Sequence, residues 1–228
     1  VIVLMSSATI HVDVWSDIAC PWCYLGSRRF AKGLAAFAET HPEVEVVVES
    51  HSYELSPDTP EDFVGNEIEF LSKHKGMPRD QVEQMLGSMT ELAASEGLEF
   101  RFDQLQHVNT RRAHRILHLA KDRGIQAQVL SRLFSAYFTE GRTLHDDDVL
   151  VELAVEAGLD ADEARAALSD PARGEQVDQD ITRARMLGVQ GVPFTLINQK
   201  YGVSGAQSPE TFTSVLEQVL ERDREEAA

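Results

Sequence analysis

The chain of 228 residues has only two cysteines, Cys20 and Cys23. Small secreted proteins that rely on disulfide cross-links carry more of them, so the sequence excludes that class and requires a hydrophobic core instead. Hydrophobic residues make up 43% of the chain, which is enough for one large domain or for a domain with an insertion. The close spacing of the two cysteines points to catalysis or metal binding.

Basic residues are also scarce, because 21 Lys and Arg stand against 38 Asp and Glu, for a net charge of −17. Such a charge repels phosphate backbones and anionic lipid head groups. We therefore expect neither nucleic acid nor a membrane surface as a partner. A well-solvated surface is the simplest interpretation of the acidity.

Long apolar runs are absent, since no stretch approaches the ~18 residues that a membrane span needs. Val1–Met5 is apolar, but no basic residue precedes it and it is shorter than the apolar core of a signal peptide. We therefore expect a cytoplasmic protein, with Met5 as an alternative start of the chain.

Both cysteines lie at the start of a predicted helix. Ile10–Trp15 alternates in polarity like a strand, and Pro21 is typical of a first helical turn. Unpaired backbone N–H groups and the positive end of the helix dipole stabilise a thiolate at such a position. A second thiol one turn later is within reach of the first, so the pair can form a disulfide and exchange it.

Two inert buried thiols, or half of a zinc site, are the alternatives for this pair. A structural zinc site needs four ligands at short spacings, and the chain has no second cysteine pair. His114 and His118 alone have a spacing that suits such a site. Two histidines on one helix face more often have solvent or core roles, so we expect no metal.

Periodicity predicts a β-α-β unit, a long helical block and a β-β-α unit. Strands are predicted at 10–15 and 44–49, with a helix from Pro21 to about His41 between them. Helical spacing then continues from Ser56 for about half the chain. Strand residues return as a hairpin at 192–198 and 201–204, and Ser208-Pro209 begins the last helix. The predicted domain boundaries are 8–55 and 176–228 for one domain in two parts, and 56–175 for a helical insertion domain.

Three motifs resemble those of a known family. They are Trp15-Ser16-Asp17-x-x-Cys20-Pro21-Trp22-Cys23-Tyr24-x-Gly26, Asn109-Thr110-x-x-Ala113-His114-Arg115 and Gly188-Val189-x-Gly191-Val192-Pro193-Phe194. Together with the order of elements they resemble the DsbA family, and within it the FrnE-type cytoplasmic oxidoreductases. The resemblance spans nearly the whole chain and implies an α/β protein with a thioredoxin fold interrupted by a helical insertion domain.

The resemblance also implies a thiol–disulfide oxidoreductase in which Cys20 is the attacking thiol and Cys23 the resolving one. The spacing agrees, because the first cysteine would face solvent while the second packs against the sheet. Pro193 would be cis and would hold the backbone of Val192 open for a substrate segment. No organic cofactor or metal is needed, because the disulfide itself carries the redox equivalents. Substrate proteins or small thiols such as glutathione are the expected partners, and both a monomer and a homodimer are open.

Other residues are candidates around the pair. Pro21 belongs to the redox motif, and Trp22 would shield the sulfurs and offer apolar contact to a partner, with plain packing as its alternative. Trp15 and Asn109 are candidates for substrate binding, although Asn109 also suits a helix N-cap.

Thioredoxin-like relatives keep a buried carboxylate beneath the second cysteine as a proton acceptor. That position falls on Asp13 or Val14 here, depending on the length of the loop that follows the strand. Asp13 is therefore a candidate acceptor, unless it points to solvent from the polar side of the strand. Asp17 would either oppose thiolate formation by repulsion or cap the helix.

Two other functions are open. The same plan resembles kappa-class glutathione transferases and 2-hydroxychromene-2-carboxylate isomerases, glutathione-dependent enzymes that normally have a serine where Cys20 stands and lack the second cysteine. The other alternative is a chaperone-like module that binds apolar peptides. Its adaptable groove would use Met77, Met85, Met89 and Met186.

Overall fold

The computed structural model describes residues 8–63 and 65–227. The apolar segment Val1–Met5 and the interpretation given to it therefore lie outside the described residues. No helix within the described ranges combines the length and apolar character that a membrane crossing requires.

A four-stranded mixed sheet forms the centre of the molecule. Its strands are β1 (Thr9–Ser16), β2 (Glu45–Ser52), β3 (Phe194–Ile197) and β4 (Tyr201–Ser204), in the order β2-β1-β3-β4. β1 pairs parallel with β2 and antiparallel with β3, and β3 and β4 form the predicted hairpin. β2 continues past its predicted end because His51 and Ser52 still pair with β1, and both are buried and hydrogen-bonded to Asp180, which sequence periodicity does not show.

One face of the sheet is covered by α1 (Pro21–Thr40) and α9 (Pro209–Glu226). Ile10 and Val12 point to this face and pack with Phe37 and Leu216 in one core cluster. α8 (Pro171–Met186) lies on the other face, where the indole N–H of Trp15 donates to a carbonyl of that helix. The alternation of β1 thus separates two environments, which matters for the acidic residues near the site.

The helical block comprises α2 (Glu67–Lys73), α3 (Arg79–Ser95), α4 (Arg111–Asp122), α5 (Gln126–Phe138), α6 (Asp147–Glu156) and α7 (Ala161–Ser169). Asn66 caps the first of these helices, and its side chain accepts a hydrogen bond from Glu69 N at 2.8 Å. A second core cluster fills the block and extends to the start of α1. The domain boundaries stay a prediction, and α8 runs across the one placed at residue 175.

Candidate redox site

Cys20 is the residue that caps the start of α1. Its backbone N–H donates to Asp17 O at 3.1 Å, and its own carbonyl accepts from Cys23 N at 3.0 Å. Pro21 occupies the first helical position, where a backbone N–H would have no partner within the helix, so proline loses no hydrogen bond there. Because Cys20 is the cap residue, its sulfur stands at the positive end of the helix dipole. Its side chain makes no capping hydrogen bond to the helix.

The two sulfurs are close but not bonded to each other, and both are buried. Cys20 is 3% exposed and Cys23 2%, so the expectation that Cys20 faces solvent is wrong. The reason is that the core cluster of the helical block includes both cysteines, with Val192 packed against it. The Cys20 thiol lies 3.7 Å from Val192 O, to which it donates. Trp22 is the exposed member of the motif, at 45%.

Cys23 is held as a neutral thiol. Burial raises the pKa of Cys23 well above its ordinary value, and the neighbouring Cys20 sulfur raises it further. The charge of Asp17 also raises the pKa of Cys23, whereas a hydrogen bond to the Asp17 backbone lowers it in part. The pair is therefore asymmetric, since the second sulfur does not ionise readily.

The Val192–Pro193 peptide bond is cis, and this segment lies against the start of α1. A Cβ on Gly26 would stand 3.0 Å from Pro193 Cγ and 3.3 Å from Ala206 Cβ. Glycine at this position therefore lets the redox helix approach the proline closely. The structure thus brings together four predicted site residues, Cys20, Cys23, Val192 and Pro193, from opposite ends of the chain.

Asp17 is the carboxylate that lies beside the cysteine pair. It is 2% exposed, and its carboxylate accepts from Leu55 N at 2.8 Å and from His114 Nε2 at 3.3 Å. Burial alone would raise the pKa of Asp17, but its bond to His114 and the other donors outweigh burial and lower it. The pairing with His114 was not foreseen from the sequence. The only signal was the presence of both residues in the family-like motifs.

Asp13 faces the opposite side of the sheet from the cysteines. Strand alternation puts it on the face of Trp15, and its carboxylate bonds to His51 at 2.5 Å, to Arg183 at 3.3 Å and to Gln199. Neither sequence interpretation of Asp13 holds. It is not placed to take a proton from Cys23, and at 7% exposure it does not point to solvent.

Trp15 and Asn109, the two other candidates for substrate binding, are occupied by the fold. Trp15 is fully buried and stacks on His51 with ring centroids 4.6 Å apart, so it offers no surface to a substrate. Asn109 donates to Thr59 O at 2.7 Å and accepts from Arg111 N at 3.0 Å. Its side chain thus fixes a loop to the start of α4, and Thr110 rather than Asn109 is the cap residue.

The two histidines at helical spacing are bound to different carboxylates. His114 lies on Asp17, and His118 Nε2 lies 3.2 Å from Asp180 Oδ2. Both side chains are buried, which is the core role expected for them. Within residues 8–63 and 65–227, no three His, Cys, Asp or Glu side chains are grouped as metal ligands would be.

An open pocket of about 300 Å³, here called the exchange pocket, adjoins Cys20. Its walls come from the redox motif and the helical block, and three of its apolar side chains are exposed by more than two fifths: Trp22, Leu55 and Met85. Met89 also lines it, whereas Met186 belongs to α8 and Met77 is not part of the lining. Two of the four methionines proposed for a peptide groove, Met85 and Met89, therefore line the pocket that adjoins Cys20.

Comparisons with family models, with protein sequences and with solved structures all find similar proteins. The family model of the DSBA-like thioredoxin domain matches residues 11–217. A probable DsbA oxidoreductase from Streptomyces coelicolor has a crystal structure with 44% identity and a TM-score of 0.85, over 93% of this chain and 90% of that chain. The uncharacterized protein YwbO of Bacillus subtilis is 30% identical over 163 residues, which are 70% of this chain and 72% of YwbO. The cytosolic disulfide reductase DsbM from Pseudomonas aeruginosa, solved with GSH, is similar in fold at 20% identity, with a TM-score of 0.68 over 92% of this chain and 99% of DsbM. These matches confirm the predicted thioredoxin fold of the DsbA type.

Proposed function

Because this chain belongs to the DSBA-like thioredoxin domain family, we propose that it is a thiol–disulfide oxidoreductase that works through Cys20 and Cys23. The observation that carries the proposal is the placement of two adjacent, unbonded thiols on the first turn of α1. The first sulfur stands at the helix start and the second is kept protonated by its surroundings.

The reaction proceeds by two exchanges of sulfur bonds. The Cys20 thiolate attacks one sulfur of a substrate disulfide, that disulfide breaks, and the first substrate thiolate leaves and takes up a proton. Cys23 then attacks the Cys20 sulfur, and its proton goes to the second substrate thiolate as that group leaves. The substrate gains two electrons and the cysteine pair becomes a disulfide. The reverse sequence donates a disulfide to a dithiol.

Substrate binding is assigned to the two surfaces that meet at Cys20. The backbone of Val192, next to Pro193, would pair with an extended substrate segment beside the sulfurs. The exchange pocket, with Trp22 at its exposed side, would take an apolar side chain next to the substrate cysteine. Protein substrates with accessible cysteines fit this arrangement.

The pair needs no organic cofactor or metal, because it carries the electrons itself. A cytoplasmic, FrnE-type protein would work as a reductase or isomerase, since thiols are kept reduced in that compartment. Glutathione is a suitable small thiol to restore the dithiol, and the similarity in fold to a reductase solved with GSH supports this choice. The glutathione-transferase alternative is less favoured, because Cys20 stands where those enzymes normally have a serine.

Reduction of insulin by the wild-type protein and its Cys20→Ser and Cys23→Ser variants tests the proposal. We expect turnover by the wild type, none by Cys20→Ser, and a mixed disulfide on Cys20 that accumulates in Cys23→Ser and is visible by mass spectrometry. Equal turnover by all three proteins would exclude the function.

A further inference from the structure

A second cleft, which shares no lining residue with the exchange pocket, is lined in part by Cys23. This rear cleft has a volume of about 290 Å³ and lies between α1, α5 and the sheet. Cys23 and Pro193 belong to its lining, and most of its wall is apolar, including Phe30, Leu34 and Leu130. The two cysteines are thus contacted from two different openings, Cys20 from one and Cys23 from the other.

The rear cleft separates the two hydrophobic core clusters. One cluster contains Cys23, Leu130 and Phe134, and the other contains Phe37 and Leu216, with Phe30 and Leu34 packed against it. Interiors of proteins are close-packed and leave few voids larger than a water molecule. The volume of the rear cleft is therefore too large for a packing defect and lies near the lower end of the range for small-molecule binding sites.

Arg28 lines the rear cleft and has no carboxylate partner among the described residues. It is exposed on α1, and its guanidinium lies beside the Tyr24 hydroxyl, where it partly offsets the rise in the pKa of Tyr24 that burial causes. The neighbouring Arg29 and Lys32 both bind Glu96 at 2.7 Å, whereas Arg28 forms no ion pair within residues 8–63 and 65–227. In a chain with 38 acidic residues, this guanidinium contacts a tyrosine hydroxyl but pairs with no carboxylate of the described residues.

We propose that the rear cleft binds a small carboxylic acid with an apolar body. The carboxylate lies at Arg28 and the apolar body lies between α1 and α5, with its end towards Cys23. A guanidinium binds a carboxylate through two parallel hydrogen bonds, which accounts for the preference for this head group. The apolar wall accounts for the body, and the net charge of −17 disfavours ligands that carry several negative charges. This site goes beyond the proposed exchange of disulfides and does not depend on it.

Titration calorimetry on the full chain tests the proposal, with sodium decanoate as the probe below its micellar concentration. Decanol and decyltrimethylammonium are the matched probes that lack the carboxylate. We expect decanoate to bind at one site and Arg28→Gln to weaken it at least about 10-fold. Ala127→Phe also weakens it, because this exposed residue of α5 lines the rear cleft and the larger side chain fills it.

Lys75→Gln is the control that locates the ligand, because Lys75 lines the exchange pocket and not the rear cleft. It should leave the affinity for decanoate unchanged. Absence of decanoate binding, equal binding of decanol, or weakening by Lys75→Gln but not by Arg28→Gln would each overturn the proposal. The Cys20→Ser variant should bind decanoate like the wild type, so the result is independent of whether the protein exchanges disulfides.

Discussion

The carboxylate of Asp17 and the imidazole of His114 lie 3.3 Å apart in the interior, although 97 positions separate the two residues in the chain. The lowered pKa of Asp17 keeps its carboxylate ionised, so it acts as the acceptor and His114 Nε2 as the donor. The other ring nitrogen, Nδ1, is buried and has no hydrogen-bond partner among the described residues. A fixed negative charge thus stands beside the cysteine pair, and a hydrogen bond from His114 holds that carboxylate in place.

We expect Asp17→Asn to make the cysteine pair more oxidising. The Asp17 carboxylate places a negative charge beside the cysteine pair and so disfavours a thiolate there; its removal therefore stabilises the reduced, dithiol form. The amide oxygen of asparagine can still accept from Leu55 N. The equilibrium with glutathione should move towards the dithiol by about 10-fold, which is on the order of 30 mV in reduction potential.

The matched control for Asp17→Asn is Asp103→Asn, at an acidic side chain that is 69% exposed. It should leave the redox equilibrium unchanged. A shift of Asp17→Asn towards the disulfide, or no shift, would contradict the electrostatic role given to Asp17.

Trp22→Ala should impair protein substrates more than small ones. The side chain is 45% exposed and lines the exchange pocket, where it would contact an apolar group next to the substrate cysteine. Exposed aromatic side chains at the centre of a binding surface often carry more than 1 kcal/mol of affinity. We expect KM for insulin to rise about 5-fold, while the rate with glutathione disulfide stays the same. Trp22→Phe should restore most of the affinity, and a uniform loss on both substrates would argue against this contact.

Deprotonation of His51 should lower the stability of the folded protein at alkaline pH. Its two ring nitrogens lie 2.5 Å from Asp13 and 2.8 Å from Asp180. Burial alone would lower the pKa of His51, but the bonds to Asp13 and Asp180 outweigh it and raise the pKa from 6.5 to about 9. Because the folded pKa is the higher one, the stabilisation is fully present below the unfolded value of 6.5 and is lost as the pH rises through about 9.

The free energy of unfolding in urea at a series of pH values measures this effect. Between about pH 6 and about pH 10, the wild type should lose on the order of 3 kcal/mol more than His51→Gln, which lacks the titrating group. His11→Gln, at an exposed position, should follow the wild-type profile. Identical profiles for the wild type and His51→Gln would show that the ion pairs of His51 do not contribute.

Local patterns predicted the elements, whereas the surroundings of the site came from distant partners. β4 was predicted at its observed bounds, since its residues alternate next to a neighbouring strand. The burial of Cys20 could not be predicted, because the helical block that covers it is remote in sequence. The same holds for Asp13, whose environment is set by His51 and Arg183. Alternation places a side chain on one face of a sheet, but it does not show what that face meets.

Two glycines in helices should respond to the same substitution with opposite signs. A Cβ on Gly33 of α1 would lie 2.6 Å from Pro209 O and 2.9 Å from Phe212 Cβ. Both atoms belong to α9, so Gly33→Ala must push the two helices apart, which we expect to cost about 1–3 kcal/mol. Gly87 of α3 is exposed, and a Cβ there would meet no atom within 4 Å.

Gly87→Ala should therefore stabilise the protein by about 0.5–1 kcal/mol, because alanine loses less conformational freedom than glycine when a helix forms. Unfolding in urea, followed by far-ultraviolet circular dichroism, measures both changes against the wild type. The intrinsic helix preference gained is the same at the two positions, so the difference between the variants isolates the contact between α1 and α9. Stabilisation by Gly33→Ala would mean that α9 can move away without loss, and that the helix carrying the cysteines is not held as closely as the structure shows.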